Sequence, residues 1–116
     1  MSVGPRDLDQ LIQEQNERRQ RDPQGFLADV LEAVWLESDE SQVDALWRHH
    51  RASTPWWTEN ALRAFEAVLA DPPAELCAWI EAHAGRGVDD DGRMYGGVTC
   101  HDWLALQFER VKSLPM

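Results

Sequence analysis

The chain has 116 residues, the length of one ordinary domain, and is too short to divide into two independently stable ones. A hydrophobic fraction of 43% excludes a wholly disordered chain, and no apolar run approaches the roughly 20 residues of a membrane-spanning helix. The formal net charge of −10 argues against direct nucleic-acid binding, because an acidic surface repels phosphates.

Residues 1–21 predict a weakly anchored first helix. Leu8, Leu11 and Ile12 form a short apolar stripe, but nothing apolar continues it toward residue 21. Acids and bases cancel within this segment, so the whole net charge of −10 falls on an acidic body, residues 22–116. We expect the segment to be the least stable helix, or an arm that forms a homodimer through residues 7–21.

Three further helices are predicted between residues 22 and 70. Each starts with a polar cap and continues with apolar residues at three- and four-residue spacing. The second helix has the clearest pattern, because a proline in its first turn precedes an unbroken apolar stripe. The predicted caps are Asp22 for the second helix, Ser41 with Asp44 as a capping box for the third, and Thr54 or Thr58 for the fourth.

The last third of the chain predicts two more helices around a loop. Prolines at 72 and 73 break the chain before a fifth helix, which stops at Gly85. Residues 88–98 hold three aspartates and three glycines without any period, so we expect an exposed loop. Thr99 with Asp102 caps a sixth helix.

These patterns together predict an all-α protein. No segment sustains the alternation that a strand needs. Short connections make sequential helices pack as neighbours, so we expect a single domain over residues 1–116, built as a compact orthogonal bundle of five to six helices.

The six tryptophans are the most informative feature of the composition. Trp56 and Trp57 are adjacent, so a helix cannot turn both toward one core line. Either Trp57 packs inward while Trp56 covers the preceding loop, or the pair contributes to a contact surface. The other four, Trp35, Trp47, Trp79 and Trp103, lie on apolar stripes and are predicted to be core.

Two groups of acids could frame a cationic partner near these tryptophans. One lies in the connection after the second helix, and the other is an aspartate run in the predicted loop. Solvated turns are the alternative for both groups, and the aspartate run lacks the closing glutamate of a calcium loop. The predicted partner-binding residues are therefore Trp56, Trp57, Asp39, Glu40, Asp89, Asp90 and Asp91.

The sequence contains no recognisable catalytic, cofactor or metal motif. Cys77 and Cys100 are too few for a secreted disulfide framework and lack a CxxC spacing, so we expect reduced thiols. The neighbouring pair His49-His50 lacks the i, i+4 spacing of two metal ligands on a helix. We therefore expect no enzyme, no cofactor and no metal. A zinc or thiol site stays open only if Cys77, His83, Cys100 and His101 converge in space.

The polar N-terminus has no apolar stretch behind a basic start, which predicts the absence of a secretory signal and a soluble, cytoplasmic protein. We expect no membrane partner. The basic cluster Arg18, Arg19 and Arg21 lacks interleaved aromatics and lies beside acids, so direct nucleic-acid contact is disfavoured.

Three stretches carry a resemblance to a known family. They are Phe26-Leu27-x-x-Val30, Thr54-Pro55-Trp56-Trp57, and Asp71-Pro72-Pro73-Ala74-Glu75 leading to Trp79. In these stretches the chain resembles the small acidic helical immunity proteins that bacteria make against their own nuclease bacteriocins and contact-delivered toxins. It departs from that pattern in having tryptophans where the family has paired tyrosines, an extra stretch over residues 61–70, and an added C-terminal helix.

The resemblance implies a non-enzymatic inhibitor that binds and neutralises a basic partner, such as a toxin nuclease domain, through acidic and aromatic groups. Acidic charge steers association with a cationic protein, while a few buried aromatics hold the complex. The alternatives are a helical adaptor or protein-interaction module, and a phage-encoded inhibitor of a host nucleic-acid-binding complex. A thiol or metal enzyme ranks third.

Overall fold

The computed structural model describes residues 5–36, 38–86 and 98–114. Within these ranges there are six α-helices and no strand, which confirms the predicted all-α bundle. No helix in the described part of the chain combines the length and the apolar content needed to cross a bilayer. The helices are α1 Pro5–Arg21, α2 Pro23–Val34, α3 Glu40–Ser53, α4 Pro55–Ala70, α5 Leu76–Ala84 and α6 Cys100–Ser113.

Side-chain caps begin α2 and α6 as the sequence predicts. The Gly25 N–H donates to Asp22 Oδ1 at 3.0 Å, and the Asp102 N–H donates to Thr99 Oγ1 at 3.0 Å. Each bond satisfies a first-turn N–H that has no partner within its own helix. At the end of α5, Gly85 adopts a left-handed φ of 68°, which confirms the predicted stop.

α3 starts differently from the prediction. Its capping box consists of Asp39 and Gln42 rather than Ser41 and Asp44. The Gln42 N–H donates to Asp39 Oδ1, and the Asp39 N–H donates to Gln42 Oε1, each at 2.9 Å. α3 therefore begins earlier than predicted. α4 begins at Pro55, although the threonine before it makes no side-chain cap.

The core lies between α2 and α4, whose apolar faces pack together and are covered by the remaining helices. Trp35 is at its centre, with its ring centroid 5.8 Å from that of Trp47 and 6.2 Å from that of Trp103. These three tryptophans are buried, as predicted. Trp79 is only partly buried and packs at the edge of the core, because the buried face of α5 centres on Ile80.

Three buried polar atoms have no hydrogen-bond partner among the described residues: the indole nitrogens of Trp35 and Trp47, and the hydroxyl oxygen of Thr58. Leaving a buried donor unpaired costs about 1–3 kcal/mol. Burying about 200 Å² of indole contributes about 5 kcal/mol at about 25 cal/mol per Å². The apolar gain exceeds the polar loss, so these indoles still stabilise the core.

A disulfide joins Cys77 at the start of α5 to Cys100 at the start of α6. The two Cα atoms are 5.5 Å apart, within the usual range for a disulfide. The sequence-based prediction of two reduced thiols is therefore wrong. The error arises because the two cysteines are 23 positions apart, and only the packing of α5 beside α6 brings them together.

Candidate partner-binding site

α3 separates the predicted acids from the predicted tryptophans. Asp39 and Glu40 lie at its start, whereas Trp56 and Trp57 follow its end. A helix of 14 residues is about 21 Å long, so the structure does not bring the two groups together. The third predicted group, residues 89–91, lies outside the described residues, as does most of the predicted loop over residues 88–98.

Asp39 is exposed but already has local hydrogen-bond partners. Besides the Gln42 N–H, it accepts a hydrogen bond from Ser41 Oγ at 2.6 Å. The bond from Ser41, followed by the bond from the Gln42 backbone, lowers the pKa of the Asp39 carboxyl below its usual value. Asp39 therefore stays ionised to lower pH and serves chiefly to begin α3.

Glu40 belongs to a network of charged groups that holds α3 against the rest of the bundle. Arg110 Nη1 donates to Glu40 Oε2 at 2.6 Å, and Arg86 Nε donates to Glu40 Oε1 at 3.1 Å. Arg110 Nε also donates to Asp44 Oδ1 at 2.8 Å, while Arg86 Nη1 donates to the carbonyl of Trp35 at 3.0 Å. Most of the hydrogen-bonding capacity of Glu40 is thus directed into the fold.

Trp57 packs inward, as the first of the two alternatives for the pair expects of it. Its ring centroid lies 5.6 Å from that of Trp47 and 4.4 Å from that of His50. The side chain is partly buried against the core. A substitution at Trp57 would therefore disturb folding as well as any surface.

His50, which packs against Trp57, is expected to make folding stability depend on pH. Burial, and then the neighbouring His49, lower the pKa of His50 below its usual value of 6.5. The unfolded chain consequently takes up this proton first as the pH falls. The free energy of unfolding should be highest above about pH 6.5 and decrease as the pH drops through the folded pKa.

Replacing His50→Phe keeps a ring on Trp57 and removes the titrating group. Urea denaturation of the wild type and the variant, repeated between about pH 7 and about pH 5, measures the effect. We expect the variant to lose less stability across this range. Identical slopes for the two proteins would show that His50 does not titrate differently in the folded state.

Trp56 lines an open groove between α1 and α4, with a volume of about 380 Å³. Asn60 is buried in the same groove, where its Nδ2 donates to Asn16 Oδ1 at 2.6 Å and to the Trp56 carbonyl at 2.9 Å. Arg19 Nε donates to Asn60 Oδ1 at 3.0 Å. These bonds fix α1 on α4 and set the shape of the groove beside the Trp56 indole.

No pattern in the sequence indicates the role of Asn60 or Arg19 in this groove. Asn60 is one polar residue beside the apolar stripe of α4, and Arg19 reads as part of a solvated basic cluster. Their role depends on how α1 packs on α4, which the sequence patterns do not predict. Of the seven predicted partner-binding residues, only Trp56 lines this groove among the described residues.

The four residues considered for a metal or thiol site do not assemble into one. Cys77 and Cys100 are joined to each other. His83 Nδ1 lies 2.6 Å from Glu32 Oε2, and His101 Nε2 lies 3.1 Å from the carbonyl of residue 69. Within the described ranges no group of three or more His, Cys, Asp or Glu side chains is placed to hold a metal ion.

Comparison of the chain with protein-family models, with curated proteins and with solved structures finds no match. The resemblance to immunity proteins therefore stays a prediction from the sequence.

Proposed function

We propose that the chain is a non-enzymatic inhibitor, of the immunity-protein kind, that binds and neutralises a basic protein partner such as a toxin nuclease domain. The observation that carries this proposal is the position of Trp56. All six tryptophans lie in the described residues, and five of them pack within or against the core, whereas Trp56 faces the groove. Accessible tryptophans are enriched among the residues that dominate binding energy.

The distribution of charge supports a basic partner. In the described part of the chain many acids have no ion pair, so the excess negative charge faces solvent. Such a field accelerates encounter with a cationic protein without requiring each acid to touch it. Among the residues whose side chains the structure describes, the acids without an ion pair are Asp9, Glu14, Glu17, Asp22, Asp39, Glu66, Asp71, Glu75, Glu81 and Asp102.

Three of these acids lie together at one end of the bundle. The disulfide and the contact between His101 and the carbonyl of residue 69 join the end of α4 to the starts of α5 and α6. Asp71, Glu75 and Asp102 each lie within two residues of these contacts. This end therefore contributes to the negative field, although sequence analysis did not single it out.

Replacing Trp56→Ala should weaken partner binding about 30-fold, or about 2 kcal/mol, if Trp56 anchors the complex. The partner would be isolated by pull-down from the source cell, or prepared as the product of the adjacent gene, and its affinity measured by calorimetry. Its toxic or nuclease activity, measured with and without the protein, tests neutralisation.

Leu106→Ala is the matched control, because Leu106 is a large apolar side chain that is 54% exposed on α6, away from the groove. It should leave the affinity unchanged. An unchanged affinity for Trp56→Ala, an acidic partner, or a partner whose activity is unaffected would each contradict the proposal.

A helical adaptor is the second candidate, and one observation favours it. Leu8 and Leu11 are 51% and 41% exposed on α1, so the rest of the bundle covers its apolar stripe only in part. An exposed apolar stripe of this kind is typical of a surface that pairs with another chain.

The disulfide is evidence about the cellular compartment in which the protein functions. Disulfides persist in oxidising compartments and are rare in the cytosol. We infer that the protein functions where the bond between Cys77 and Cys100 persists, in place of the cytoplasmic location predicted from the sequence. Alkylation of free thiols in intact cells, followed by mass spectrometry, would decide between the two locations.

A further inference from the structure

α1 has one inward face, and only half of it is covered. Leu8, Leu11, Ile12 and Arg19 lie along this face at helical spacing. Ile12 and Arg19 line the groove against α4, whereas Leu8 and Leu11 are among the most exposed large apolar side chains of the described residues. The apolar stripe of α1 is thus left about half exposed at Leu8 and Leu11.

The groove holds an arginine without an acid. Arg19 is partly buried. Its Nε donates to Asn60, and neither of its Nη atoms has a hydrogen-bond partner among the described residues. Arg63 lies in the same groove and donates one Nη to Glu59 at 3.0 Å. A partly buried guanidinium ordinarily faces a carboxylate, so the groove suits an acidic group from outside.

The two ends of α1 are complementary in charge. The first turns of α1 carry Arg6, Asp7 and Asp9 in sequence, which leaves one excess acid beside the exposed leucines. The last turn carries Arg18, Arg19 and Arg21, of which Arg18 already pairs with Asp29. Two copies of α1 running antiparallel would set the acidic start of each against the basic end of the other. A two-fold axis repeats every such contact, so the same charged and apolar groups are paired in both copies.

We propose that a second copy of this chain covers the groove, in an antiparallel homodimer built from the first turns of α1. Leu8 and Leu11 pack near the Trp56 indole of the other copy, and Asp9 pairs with the Arg19 and Arg63 of that copy. The dimer covers Trp56, so self-association and the proposed partner complex exclude each other. This inference does not depend on the proposed function, because it requires only the protein itself.

Sedimentation equilibrium of the full chain, from low to high micromolar concentration, tests the proposal. We expect the wild type to approach twice its monomer mass. A Leu8→Glu/Leu11→Glu variant should stay monomeric and folded by circular dichroism, because it places charge in the apolar contact. Leu106→Glu, at an exposed leucine on α6, is the matched control and should dimerise like the wild type.

A wild type that is monomeric at every concentration would overturn the proposal. Equal weakening by Leu106→Glu, or unchanged dimerisation of the Leu8→Glu/Leu11→Glu variant, would overturn it as well. Monomeric behaviour together with binding of a short acidic peptide at the groove would identify another occupant. Toxin neutralisation is measured in a separate assay, so failure of the dimer proposal and failure of the proposed function can be distinguished.

A charge exchange tests the antiparallel arrangement. Asp9→Arg and Arg63→Glu should each weaken the dimer about tenfold, and the double variant should recover much of this loss. Arg63 is used instead of Arg19 because Arg19 also holds Asn60 and so supports α1. Arg48→Glu, at an exposed base without an ion pair among the described residues, is the control. Failure of the double variant to recover would exclude this arrangement.

Discussion

Removing the disulfide between Cys77 and Cys100 is expected to lower the free energy of unfolding by about 3 kcal/mol. The bond closes a loop with a sequence separation of 23 residues, which restricts the unfolded chain more than the folded one. Urea denaturation of a Cys77→Ser/Cys100→Ala variant measures the loss. Alanine is chosen at Cys100 because that position is buried and a serine hydroxyl would add its own desolvation cost.

Adding a reductant distinguishes the effect of losing the disulfide from the effect of replacing the cysteine side chains. Reducing the wild type should reproduce most of the loss seen in the variant, and the same reductant should not affect the variant. Thiol titration of the folded wild type should detect free thiols only after reduction. If neither the reductant nor the substitutions shift the denaturation midpoint, the two cysteines are thiols and the prediction from the sequence stands.

Replacing Arg110→Met is expected to destabilise the protein by about 2 kcal/mol. The guanidinium is mostly buried and donates to Glu40, Asp44 and Gln107, so methionine retains its apolar stem and leaves these acceptors without their donor. Hydrogen bonds to a charged group are worth about 1.5–3 kcal/mol, and the exposure of Glu40 places the expected loss in the lower part of that range. Thermal or urea unfolding gives the value.

Arg48→Met is the matched control, because Arg48 is exposed and has no ion pair among the described residues. Its effect should stay within about 0.5 kcal/mol. A Glu40→Gln variant, alone and combined with Arg110→Met, then measures the coupling between the two side chains. Zero coupling would mean that Glu40 is not committed to the fold and is available to a partner.

The helices could be predicted because their signals are local. Asp22, Thr99 and Gly85 each act within one turn of their own position, so the sequence is sufficient to place them. The start of α3 was predicted wrongly from Ser41 and Asp44, because a D-x-x-Q pattern that begins at Asp39 overlaps that S-x-x-D pattern. The structure selects the box at Asp39, where Arg86 also binds the carbonyl of the preceding Ser38 at 3.0 Å.

The candidate site depends on how the helices pack, so only part of it could be predicted from the sequence. Adjacency alone shows that Trp56 and Trp57 cannot share one core line, but the choice between them follows from where α3 presents Trp47 and His50. The commitment of Glu40 to arginines more than forty positions away could not be read from local spacing.

The disulfide also changes the connectivity of the chain. Between Cys77 and Cys100 the polypeptide is a covalent ring, and the rest of the molecule consists of two tails attached to it. A peptide bond broken between residues 86 and 98 would open the ring without releasing either piece. α6 would stay attached to the helices before it, and the protein would become a two-chain molecule that separates only after reduction.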